Sequence, residues 1–121
     1  MTAPPQPDAL QYDHYVCEVW CRGHPARRAD ADARADDVAA VLRWAPPAAK
    51  VDISVGGCED DPRELVDIPE VMAFLGLFTR AMRARGLLDA LEERLTDGSR
   101  AVVLLAAGRV RRDQIQVVGN A

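Results

Sequence analysis

Hydrophobic and polar positions recur along this chain with two different periods. Tyr15 to Arg22 reads YVCEVWCR, with Tyr15, Cys17, Val19 and Cys21 on one side of an extended chain. Val16, Glu18, Trp20 and Arg22 fall on the other. The odd side is the more apolar, and β-branched and aromatic residues enrich the run, so it predicts a strand ended by Gly23-His24-Pro25. From Ala29 to Ala45 the period changes. Ala31, Ala35, Val38, Leu42 and Ala45 share one face at the 3.6-residue repeat, which predicts a helix capped by Asp30 or Asp32 and stopped by Pro46-Pro47. Lys50 to Gly56 alternates again, with Val51, Ile53 and Val55 on one face and Asp52 and Ser54 on the other, as a half-buried strand does. Gly56 to Pro62 reads as a loop.

A second helix is expected from the capping pattern Asp67-Ile68-Pro69-Glu70. Val71, Phe74, Leu75, Phe78 and Met82 form its apolar face, but Leu88, Leu91 and Leu95 lie roughly 200–260° around from Val71 on a straight helix. Gly86 sits between the two stripes, where a helix C-terminus would place it, and predicts a break or sharp kink. Thr96 to Ser99 reads as a turn. Ala101 to Ala107, AVVLLAA, is uniformly apolar, as a central strand covered on both faces would be. Gln114 to Val118 alternates and suits an edge strand in a hairpin with it.

The expected fold is therefore α/β: a single domain over residues 14–121 with a mixed four-stranded sheet, in the order β-α-β-α(α)-β-β. Residues 1–13 are expected to form a disordered tail, because three prolines in its first seven residues favour an extended chain. The element order is similar to the thioredoxin-like core without its last helix. Ile53-Ser54-Val55-Gly56-Gly57-Cys58 looks like the strand-then-cysteine segment of the thioredoxin-like 2Fe-2S ferredoxins. That family uses four cysteines. This chain has three, with no second Cys after Cys58, so no cluster ligand is carried over.

Composition narrows the function without naming it. The 121 residues suffice for one core without staples. The net charge of −4 and the six aromatic residues argue against a nucleic-acid partner. No stretch approaches the ~20 apolar residues of a membrane span, and residues 1–11 carry no signal-peptide pattern. A cytoplasmic protein is expected. Lys50 is the single lysine among fifteen basic residues, and with the abundant Ala this is the bias of a high-GC bacterial genome.

The odd cysteine count argues against a disulfide framework. Cys17 and Cys21 would share a strand face about 13 Å apart. His14 and His24 have the other parity, so no shared metal is expected, and no cofactor. Cys21 and Cys58 fall at the ends of the two parallel strands, where open α/β sheets collect ligands. With His24 lowering a thiol pKa they would form a thiol-redox or metal site. Phosphate-loop, hydrolase-elbow and zinc-protease motifs are absent.

The leading expectation is a protein-binding module of accessory, regulatory or immunity-inhibitor type. Glu59, Asp60 and Asp61 would contact a basic partner, and Trp20 would be an aromatic anchor if exposed. Arg109, Arg111 and Arg112 form a basic turn that could meet phosphate or solubilise a hairpin. The edge strand 114–118 could pair with its twin in a homodimer.

Overall fold

The computed structural model describes residues 13–57 and 62–114. Strand β1 (His14–Cys21) leads through helix α1 (Arg28–Trp44) to strand β2 (Lys50–Gly56), which pairs with β1 in parallel. Helices α2 (Pro62–Val66), α3 (Pro69–Ala84), α4 (Leu88–Arg94) and α5 (Asp97–Ala106) follow, then a 3-10 turn at Arg112–Gln114.

Helix α3 is the centre of the molecule. Its Pro69 occupies the first turn, where a missing N–H costs nothing. Val71, Phe74, Leu75, Phe78 and Met82 are buried as the apolar stripe requires. The helix meets α1, α2, α4, α5 and β1. Helix α1 turns Ala31, Ala35 and Val38 inward, small side chains that let it lie close to α3. Its N-cap is Arg27, with no side-chain cap, so neither Asp30 nor Asp32 takes that role. The break at Gly86 is present. Gly86 has φ +69°, its N–H donates to Arg83 O at 2.9 Å, and the Leu87 N–H donates to Met82 O at 3.0 Å. This pair of bonds is a Schellman ending, and it redirects the chain so that Leu88 and Leu91 of α4 also enter the core.

The four-stranded sheet and the thioredoxin-like arrangement are not present. Among the described residues the sheet has two strands, β1 and β2. The run Ala101–Ala107 belongs largely to α5, not to a central strand. A short apolar run carries no period of its own, and here the deciding pattern begins upstream. Ser99, Val102 and Val103 are buried and Ala106 packs beside them, a helical spacing of three and four. Thr96, which the sequence places in a turn, is the residue from which α5 starts. The expected hairpin fails with it: Gln114 closes a 3-10 turn, and 115–118 lie outside the described residues. Helix α2 has no counterpart among the expected elements, because its five residues are too few to show a period. Residues 1–12 of the expected tail also lie outside the described residues. Asp13 belongs to the fold, since its C=O accepts the Lys50 N–H at 2.9 Å.

A second correction concerns β1. The register runs Cys17↔Ile53, Glu18↔Ser54, then Trp20↔Val55, so Val19 is an extra residue opposite nothing. This bulge reverses the alternation. Tyr15, Cys17 and Trp20 line up with the core-facing Val51, Ile53 and Val55, whereas His14, Val16, Glu18 and Cys21 share the outer face with Asp52, Ser54 and Gly56. Cys17 and Cys21 thus lie on opposite faces.

Candidate functional site

The two edges of this small sheet differ. Beyond β2, the third strand's place is taken by the start of α5. The Thr96 N–H donates to Val51 O at 3.0 Å, and Ser99 Oγ accepts the Ile53 N–H at 2.8 Å. Leu95 adds an isolated bridge to Val51. These outward backbone groups of β2 are therefore satisfied, as buried groups must be.

The outer edge of β1 has no such cover among the described residues. The Asp13 O to Lys50 N bond fixes the phase of the ladder. Tyr15 and Cys17 turn their N–H and C=O toward β2, and His14, Val16 and Glu18 turn theirs away from it. No strand among the described residues pairs with that side. Val16 is 64% exposed, the most exposed large hydrophobic of the described chain. A groove of about 230 Å³ follows this edge, bounded by Val16, Glu18 and Val19 of β1 and by Arg34, Asp37 and Val41 of α1. A second hollow, of about 210 Å³, continues it past Glu18 toward Cys21, His24 and Asp30.

Charge on the open face is arranged at both ends. Asp52 Oδ1 accepts the hydroxyls of Thr96 and Ser99 at 2.6 Å each, and His14 Nε2 stands 3.4 Å from Oδ2. Partial burial alone would raise the Asp52 pKa, but Ser99, Thr96 and His14 together hold it below the usual carboxylate range. At the other end Glu18 accepts the Cys21 S–H at 3.6 Å, packed against Gly56. A Cβ on Gly56 would meet the Glu18 carboxylate at 2.9 Å.

A separate cavity of about 250 Å³ lies between β2, α2, α3 and α5, with apolar walls from Val55, Leu65, Leu75 and Val102. Its polar rim is Asp52, Thr96 and Ser99, whose groups already bind one another and β2.

The residues singled out from sequence fall differently. Trp20 is 6% exposed and its ring packs at a tilt against Phe74, so the exposure an anchor needs is not met. Its indole N–H has no partner among the described residues. Glu59, Asp60, Asp61 and Cys58 lie outside the described residues. Cys21 is exposed, with His24 beside it in the second hollow. Desolvation and the Glu18 carboxylate push the Cys21 thiol above its ordinary range, the opposite of the lowering expected from His24. Burial, with Asp37, pushes Cys17 up to about 11. Neither thiol is primed as a nucleophile. No three His, Cys, Asp or Glu side chains gather to hold a metal among the described residues.

The basic turn is spent on carboxylates. Arg109 bridges Asp89 and Glu92, Arg111 meets Asp113, and Arg112 meets Asp67. Arg85 likewise joins the end of α3 to Asp36 of α1 at 2.8 Å. Sequence reasoning missed the β1 edge, because an edge is defined by the strands that flank it, and the sheet was expected to have four strands where the described residues form two. Val16, an apolar residue on the polar side of the run, was the available signal.

No helix among the described residues is long and apolar enough to cross a membrane. Comparison with known proteins adds no identity: no family model matches the chain, and no curated protein or solved structure is significantly similar to it.

Proposed function

We propose that this chain is a protein-binding module that takes a partner's strand along the open edge of β1. The observation that carries this reading is the asymmetry of the sheet: β2 is closed by Thr96 and Ser99, while no strand among the described residues pairs with the outer edge of β1, which lies beside an exposed Val16 and a groove floored by α1. Main-chain hydrogen bonds would supply affinity, and the alternating side chains would supply selectivity. Glu59, Asp60 and Asp61 follow β2 in sequence and would contact basic side chains of the partner. A reducing compartment such as the cytoplasm suits the odd cysteine count.

The test is site-specific photo-crosslinking of the full chain, alone and in cell extract. A probe at Val16 should give adducts with a peptide partner, and a probe at the exposed Glu93 of α4 should not. Silence at Val16 under both conditions overturns the reading.

A further inference from the structure

We infer that the strand received by β1 is β1 of a second copy, running antiparallel about a two-fold axis at Val16. This rests on the strand-addition reading and names its occupant. Three observations choose the register. The regular part of β1 is His14 to Glu18, because Val19 bulges out of the ladder. Within it, the residues that turn N–H and C=O outward are His14, Val16 and Glu18. Antiparallel pairing needs such residues opposite one another. Centring on Val16 places Val16 against the second copy's Val16, and His14 against the second copy's Glu18 at both ends. All three outward residues of each copy then find partners, giving about six backbone hydrogen bonds across the joint.

The side chains agree with the backbone. His14, Val16 and Glu18 share the open outer face, so the register brings two exposed valines together and flanks them with two imidazole–carboxylate pairs. Shifting the centre by one residue to Tyr15 leaves Glu18 opposite position 12, before β1 begins. Shifting it to Cys17 sets His14 against Trp20, beyond the bulge. Neither alternative satisfies the whole strand. The joined molecules would share one sheet in the order β2-β1-β1-β2, with an α1 helix from each copy beneath the joint.

The experiment uses two single variants of the full chain, His14→Glu and Glu18→Lys. His14→Glu sets two carboxylates opposite one another twice in its own homodimer, Glu18→Lys removes both carboxylates that face the imidazoles, and each should raise the dimer dissociation constant about tenfold or more in sedimentation equilibrium. Mixed, they form a heterodimer in which the introduced glutamate meets the introduced lysine and the other pair is native. Native mass spectrometry of the mixture should therefore show the heterodimer dominating both homodimers. Thermal melts of each variant check that it is folded. Val16→Cys, with the native cysteines replaced, should oxidise to a covalent dimer because ~5.5 Å between paired Cα atoms suits a disulfide.

A wild-type chain that stays at 13.2 kDa up to high micromolar concentration overturns the inference. If Val16 nonetheless crosslinks to another protein, strand addition stands with a different occupant. If Val16 is silent too, both fall. A dimer indifferent to both variants, or a mixture without heterodimer enrichment, also overturns it.

Discussion

Ser99 serves two elements at once. Its Oγ accepts the Ile53 N–H at 2.8 Å and stands 2.6 Å from Asp52 Oδ1, to which its single proton is given in preference to Ile53 O at 3.3 Å. Removing it leaves a buried N–H without an acceptor. Ser99→Ala should cost about 1–3 kcal/mol, read from urea unfolding, whereas half-buried Ser54 on the outer face of the same strand should tolerate Ala with little change. Asp52 carries the matching pH dependence. Its folded pKa is depressed, so its contribution is complete above the ordinary carboxylate range and is lost as pH falls through the lower folded value. Stability of the native chain should drop in that acidic window, and Asp52→Asn should flatten that part of the profile. An unchanged acid limb in the variant would assign the dependence to other carboxylates.

Among the elements, those with a complete period of their own were legible in the sequence. β2 occupies the expected residues, α1 differs by one residue at each end, and α3 buries the expected stripe. Gly86 was legible because two stripes with incompatible directions need a reversal between them. Its φ of +69° lies where a side chain is strained, so Gly86→Ala should lower stability by about 1–2 kcal/mol, measured by thermal or urea unfolding. Helix α5 was not legible. AVVLLAA satisfies a buried strand and a buried helix equally, and its inward face is completed by Ser99, a polar residue in an apparent turn. The bulge at Val19 was hidden for a related reason. Parity is a local rule, and an inserted residue is justified only by its partner strand, which brings Trp20 over Val55 and into the core. The candidate site inherits the first of these misreadings, since the helix start that stands in place of a strand is what closes the edge of β2, while the bulge only limits how far the regular part of β1 runs.

At the scale of the whole molecule, the helices among the described residues shelter one face of a two-strand sheet and leave the other face open. Paired strands alone are marginal in water, so this sheet owes its order to the helices packed beneath it, α1 and α3 among them. A bare β edge is also the usual starting point for runaway strand stacking. Here the stopper on β2 decides how far such growth can go. Once two β1 strands have met, the enlarged sheet ends on both sides in β2, where Thr96 and Ser99 already hold outward groups. A further strand would therefore find the Val51 and Ile53 positions already taken. Concentrating the protein should fill a population of pairs and then stop, with no trimers, no ladder of larger species and no binding of fibril-sensitive dyes. The same hydroxyl that steadies Ile53 would then be what keeps a sticky strand from becoming a fibre.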